Sequence, residues 1–289
     1  MDVSLAGAIR SVNTIFNSVW HDESNRDQRV RRLAMAAGWQ AWKRIVRMPL
    51  TVSLFNGTRF RAYPDCFSSS SVFYARVPNS QHIGFLRHHV QGGTFLDVGA
   101  NVGLVSVLLA DRVQHALLFE PNPAAAARAR ENIGLNGLKF EVHEIALSDR
   151  SGTVAFENAG GVSTVNRTVE DFSTAAPTIT VPRFSYDEFI SGHAELPAPV
   201  SAVKIDVEGH ENSVLRGMRG LLMSVRPRLV MFEYLRRTNI QETFEIFSAA
   251  QYRVMELAQE GKPVWANADV RPLQDLFACP EELSTLYLK

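Results

Sequence analysis

Apolar residues in the first fifty positions recur at helical spacing. Leu5, Ala8, Ile9, Val12, Ile15, Phe16 and Val19 form one stripe. Val30, Leu33, Ala37, Ala41, Ile45 and Met48 form a second, over about 27–47. Pro49 ends that helix, because proline cannot donate the next backbone hydrogen bond. Arg29, Arg31, Arg32, Lys43, Arg44 and Arg47 ride on it as a solvated face, with an acidic or membrane-surface partner the weaker reading. Residues 1–50 therefore read as a helical extension that caps the rest of the chain or builds a homodimer contact.

The period then changes. From Thr51 to Val77 the chain is strand-like and Ser-rich, and Asn56-Gly57 between two alternating runs marks a hairpin turn. After it, short apolar runs alternate with helical segments, the pattern of a parallel α/β sheet. Strands are expected at Thr94–Val98, His115–Glu120, Phe140–Ile145, Ala202–Val207, Leu229–Tyr234, Tyr252–Leu257 and Thr285–Leu288. Helices are expected from about Val102, at Pro123–Leu135 and at Thr243–Ala250. A polar insertion, Ser148–Val200, carries its own alternating strands at Thr153–Phe156 and Thr178–Val181. Together with Phe67–Val77 it is expected to wall an acceptor pocket. The domain expected is 51–289, with the insertion inside it.

Composition narrows the class. Thirty basic residues balance thirty acidic ones, so no overall field recruits nucleic acid or an anionic membrane. Cys66 and Cys279 stand alone, without zinc-ligand spacing, which suits a reducing compartment. The N-terminus does not read as a secretory signal, and no run approaches the roughly 18 apolar residues of a membrane span. The expectation is a cytoplasmic protein.

The strongest local signal is FLDVGANVGLVSVLLA, an apolar strand followed by glycines and then a helix. Gly99 and Gly103 permit a sharp turn, and the helix start offers free N–H groups. Glu120, ending the next strand, stands where an acid would bond a ribose diol. A dinucleotide fingerprint needs G-x-G-x-x-G, but Asn101 and Leu104 occupy its second and third glycine positions. S-adenosylmethionine (SAM) has no pyrophosphate and tolerates side chains there. Asp97, just before the turn, suits a ligand carrying an ammonium and a sulfonium. A third contact, from Ala146 to Ser148, would read the adenine edge.

The run VSAVKIDVEGHENSVLRGM is the second signal. In a strand, Lys204, Asp206 and Glu208 share one side, which is costly in a buried sheet unless they pair or work. Glu233 ends the neighbouring strand. FLDVGANVG, FEPNPAAAARARENIGLNGL, FEVHEIALSDRSGTVAF and KIDVEGHENSVLRGM, in that order, resemble the FkbM-type SAM-dependent methyltransferases. The resemblance runs from about Val72 to Glu233 and leaves out the first fifty residues. It implies a class I methyltransferase Rossmann-like α/β fold, a seven-stranded sheet of order 3-2-1-4-5-7-6 with the last strand antiparallel. It also implies O-methylation of a sugar or secondary-metabolite hydroxyl. Carried onto this chain, it makes Asp97, Gly99, Ala100, Asn101, Gly103, Glu120, Asn122, Ser148 and Asp206 cofactor-site residues, beside Ala146 from the turn.

A hydroxyl nucleophile must lose a proton, and His210 reads either as its base or as a helix-start residue making a backbone contact, with Glu208 the competing base and Glu233 orienting either. Asp206, Glu208 and Glu233 could alternatively hold Mg²⁺, the less favoured reading. Lys204 reads as a buried partner of a carboxylate. The remaining histidines, His82, His88 and His89 among them, lack a matching carboxylate pattern and read as surface or packing residues. The missing glycines disfavour a dehydrogenase. Asp206-Val207-Glu208-Gly209 lacks the Pro-Pro-aromatic turn of nucleobase N-methylation. A non-catalytic SAM-binding protein stays open.

Overall fold

The structure, a computed structural model, describes residues 5–157, 178–193, 196–258, 261–272 and 274–288. The middle of the expected insertion lies outside the described residues. Helices α1 (Leu5–Trp20) and α2 (Arg29–Ile45) precede a hairpin of β1 (Leu50–Ser53) and β2 (Arg59–Ala62). Gly57, with φ +84°, turns that hairpin, as Asn-Gly implies. Helices α3 (Phe67–Tyr74) and α4 (Ser80–His89) lead into β3 (Thr94–Val98), α5 (Leu104–Leu108), β4 (His115–Phe119), α6 (Pro123–Gly134) and β5 (Glu141–His143). Then come β6 (Ala146–Leu147), β7 (Gly152–Glu157), β8 (Thr178–Phe184) and α7 (Tyr186–Ser191). The chain continues through β9 (Val200–Ile205), α8 (Glu211–Gly217), β10 (Leu229–Tyr234), α9 (Ile240–Ala249), β11 (Tyr252–Leu257), β12 (Pro263–Trp265), β13 (Gln274–Pro280) and α10 (Ser284–Tyr287).

The main sheet runs β12-β11-β13-β10-β9-β3-β4-β5, eight strands rather than the seven expected, with short β12 added at one edge. Strands β5, β4, β3, β9 and β10 are mutually parallel, and β13 lies antiparallel between β10 and β11. Strand β6 with β8 and β7 forms a small separate sheet. Period-2 alternation divides the main sheet into two buried faces. Leu96, Val98, Val203, Ile205, Val230 and Phe232 face one core with Val214, Leu215 and Phe247. Phe95, Ala116, Leu118, Ala202 and Phe277 face the other with Leu86, Val107 and Ala129. Both faces being covered explains why these strands read as apolar runs.

Two expectations fail. Residues 67–74 form helix α3, not strand. Val72 and Phe73 are buried, and Phe73 stacks on Trp39 of α2 with ring centroids 4.2 Å apart. Trp39 Nε1 donates to Ser70 Oγ (3.0 Å) and Arg32 donates to the Val72 carbonyl (3.0 Å). Tertiary burial outweighs the strand propensity of Val, Phe and Tyr. The closing strand is β13, not Thr285–Leu288, which is the short helix α10 whose Tyr287 hydroxyl donates to the Arg228 carbonyl (2.8 Å). Brief apolar runs do not separate strand from helix by periodicity.

Candidate active site

The turn after β3 is welded to the tip of β4. Gly99 and Ala100 N–H groups donate to the Phe119 carbonyl at 2.9 and 3.1 Å. Gly99 has φ +75°, and a Cβ built there would land on the Asp206 carbonyl oxygen. The close approach of the β9 end to this turn by itself requires the glycine. Asn101 also takes a left-handed conformation, φ +51°.

Glu120 closes the turn from the other side. Its Oε2 accepts from Asn101 N (2.7 Å) and its Oε1 from Asn122 N (2.9 Å). Burial pushes its carboxyl up to about 7 against the pull of those two N–H groups. Asp97, fully buried, accepts from Ser106 Oγ (2.7 Å) and lies 3.5 Å from Lys204 Nζ, its cross-strand neighbour. Lys204 also donates to the Gly99 carbonyl (2.8 Å) and pairs with Asp206 (3.3 Å). Burial works to lower the lysine, but Asp206 and Asp97 outweigh it and hold the ammonium charged.

Beyond Ile205 the strand alternation stops, because Glu208 has φ +55° and sits in a loop. Buried Glu211 organises that loop, accepting from Gly209 N (2.9 Å) and the Thr238 hydroxyl (3.2 Å). Arg237 pairs with Glu208 at 3.0 Å. Carboxylate oxygens of Asp206, Glu208 and Glu233 lie within 4.8 Å of one another. Glu233 faces Asp275 of β13 across the ladder. Burial, then the charges of Asp206, Glu208, Glu211 and Asp275, push Glu233 up to about 8, and its buried Oε2 has no hydrogen-bond partner.

Glu120, Lys204, Asp206, Glu208, Glu233 and Asp275 share one cavity of about 470 Å³ outside the carboxyl ends of the parallel strands, where open α/β sheets bind ligands. Of the residues expected at the site, Gly99, Ala100, Asn101, Glu120, Ala146, Asp206, Glu208, His210 and Glu233 line it. Asp97, Gly103, Asn122 and Ser148 do not. Asp97 stands behind Lys204. Gly103 packs the start of α5 against Ala129. Asn122 caps α6 through Ala124 N (2.9 Å) and Ala125 N (3.3 Å). Ser148, instead of lining the cavity, hydrogen-bonds His210 Nε2 (3.0 Å) and donates to Asp149 (3.2 Å).

Lys204, Asn79 and Asp275 line the cavity without having been expected there, while Phe67, Ser68 and Ser71 line it from the segment 67–77 expected to wall the acceptor pocket. An acid heading the apolar run of β13 was the available signal for Asp275. His82 does have a carboxylate: its Nδ1 lies 3.9 Å from Asp275, which also accepts from Asn79 (2.6 Å). None of the described residues of the insertion 148–200 lines the cavity, whereas α3 does.

The lining holds five carboxylates (Glu120, Asp206, Glu208, Glu233, Asp275) against one lysine. That balance repels a pyrophosphate and suits a ligand with two positive charges. With the orphaned Glu233 oxygen, it makes the residues present fit SAM.

A parallel sheet with a Gly-rich first turn and an acid at the tip of the second strand defines a nucleoside-binding α/β protein. The methyltransferase FkbM domain matches residues 97–254, and the chain belongs to that family. It is 33% identical over 129 residues to the hexuronic acid methyltransferase AglP of Haloferax volcanii, covering 45% of this chain and 51% of that protein. It is 29% identical over 155 residues to the 2-O-methyltransferase NoeI of Sinorhizobium fredii, covering 48% of this chain and 62% of that one. The chain thus matches between half and two thirds of each relative's length. A solved FkbM methyltransferase from Methylobacillus flagellatus aligns at TM-score 0.42 and 12% identity, over 86% of this chain and 60% of its own.

Proposed function

We propose that this chain transfers a methyl group from SAM to a hydroxyl of a sugar or sugar-like small molecule. The observation that carries the reading is the polarity of the cavity: Glu120 at one end, the acids that follow β9 and those of β10 and β13 at the other. Glu120, Asn101 and Ala100 would hold the nucleoside, and Asp206 the amino group, with Lys204 fixing Asp206 in place. When bound, SAM supplies an electrophilic methyl on a sulfonium. The chain's own part is to align an oxygen with that methyl and remove its proton.

We assign the proton to His210, at the start of α8. Asp149 accepts from Ser148 (3.2 Å), so Ser148 Oγ is set to accept from His210 Nε2 (3.0 Å). In that arrangement the ring proton would sit on Nε2 and Nδ1 would be the basic nitrogen. Sugar O-methylation is supported by what AglP and NoeI are named for. Asp206, Glu208 and Glu233 also present an oxygen set for Mg²⁺. The Lys204 ammonium beside Asp206 favours the metal-free reading, and loss of turnover in EDTA would reverse it. We further propose that residues 1–50 act as a cap: α2 buttresses α3, which walls the cavity. A dimer contact through α1 and α2 is the second reading for that segment. Among the described residues no helix is long and apolar enough to cross a membrane.

The test is mass-spectrometric transfer of a labelled methyl from SAM to a panel of hexuronic acids and neutral sugars. A gain of one methyl on a sugar oxygen is expected. Tight SAM binding without any transfer would leave a non-catalytic binding protein.

A further inference from the structure

A second cluster of ligating side chains lies at the β5 edge of the main sheet, away from the cavity lining. Glu141 begins β5, His143 ends it, and His193 follows α7. Period-2 alternation sends Glu141 and His143 to the same side of the strand. His193 Nε2 stands 3.3 Å and His143 Nε2 3.6 Å from the same oxygen, Glu141 Oε2. All three ligating atoms fall within 4.8 Å of one another. Tetrahedral ligands at zinc bond lengths of about 2.1 Å are separated by about 3.4 Å, which the 3.3 and 3.6 Å spacings to Glu141 Oε2 bracket.

The surroundings are built rather than accidental. His143 Nε2 is buried and has no hydrogen-bond partner, an arrangement that costs free energy unless something takes its lone pair. Both imidazoles are oriented by aromatic rings. Phe119 stacks on His143 (5.5 Å), and Phe189 stacks on His193 (5.0 Å) while meeting His143 edge-on (4.9 Å). His115 Nε2 lies 3.0 Å from the other oxygen of Glu141, Oε1, and steers the carboxylate as an outer-shell partner does. Glu141 is 43% exposed on its side chain, which leaves an approach for a solvent ligand.

We infer that Glu141, His143 and His193 form a site for a divalent transition metal, zinc being the best match to two imidazoles and one carboxylate. Water completes the sphere. The ion would clamp the end of α7 onto the sheet edge. It does not depend on the cofactor reading, because none of the three residues lines the cavity. It is linked to that site by Phe119, which lines the cavity and stacks on His143, and by a hydrogen bond from Glu120 N to the His143 carbonyl (3.0 Å).

The experiment uses the full chain with any affinity tag removed, loaded separately with Zn²⁺ and with Co²⁺ and then dialysed. Wild type should retain about one equivalent, and the cobalt form should show the visible absorption of a tetrahedral site. H143Q and H193Q should each lose more than tenfold in zinc affinity, with circular dichroism unchanged. E233Q should retain the metal, which separates this site from the acids of the cavity. Wild type that holds no zinc, or H143Q and H193Q that bind as wild type does, would overturn the proposal and leave an ionic cluster. Should H143Q fail to fold, H193Q decides, since His193 lies outside the sheet.

Discussion

The two ends of the cavity are built on opposite principles. At the β3–β4 end the charges are paired: Glu120 accepts two backbone N–H groups, Lys204 bonds Gly99 and pairs with Asp97 and Asp206, and Asp97 Oδ1, which makes no hydrogen bond, has the Lys204 ammonium 3.5 Å away. At the β9–β13 end carboxylates crowd together, Glu233 keeps an unpartnered buried oxygen, and Glu208 and Asp275 are both pushed above the ordinary carboxylate range by burial. The first end is a rigid cradle whose shape exists before a ligand arrives. The second is electrostatically unfinished, and a cation or a proton completes it. Frustration of that sort marks where chemistry is to be sought.

The sharpest way to break the cradle is Gly99→Ala. A left-handed residue whose Cβ meets the Asp206 backbone should cost about 4 kcal/mol or more, read as a lowered urea midpoint. Unchanged stability would mean that the β3–β9 crossing is looser than described. Next comes His210→Ala, expected to slow methyl transfer by about 10² or more while SAM affinity stays within a few-fold. A wild-type rate would move the proton to Glu208.

Glu120→Ala should weaken SAM binding by about 2 kcal/mol in calorimetry, because a charged acceptor is lost. Equal affinity would remove the nucleoside from the β4 tip. The smallest effect concerns the crowded end. Glu233 titrates near 8 when folded against 4.5 ordinarily, so the folded state holds the extra proton between those values. Stability conferred by that proton is full below about 4.5 and is lost as pH rises toward 8. Glu120, near 7, adds to the same fall at lower pH. E233Q should therefore flatten the melting-temperature profile across the interval from about pH 4.5 to 8. A profile parallel to wild type would show that solvent already relieves the crowding.

Much of this was legible in residue order. Strands β3, β4, β9, β10 and β11 fall where apolar runs stand between glycines and helical stretches, because a sheet covered on both faces demands such runs. Gly99 and Glu120 stood out through local chemistry. What stayed hidden depends on partners distant in sequence. Asp275 meets Glu233 only because β13 inserts antiparallel beside β10, and α3 is a helix only because Trp39 is there to receive Phe73. Ser148 read as an adenine contact until the fold put it against His210, sixty-two residues away.

By itself the sequence determined the alternation of strands and helices, the glycine turn, the acid at the second strand tip and the absence of a dinucleotide fingerprint. Each of these is written within a few neighbouring residues, where spacing and backbone sterics suffice. Only the tertiary structure decided which carboxylates confront one another, which glycines serve packing and which histidines find an acid. Those outcomes arise from strand order and burial, and both are properties of contacts between segments that no local pattern encodes.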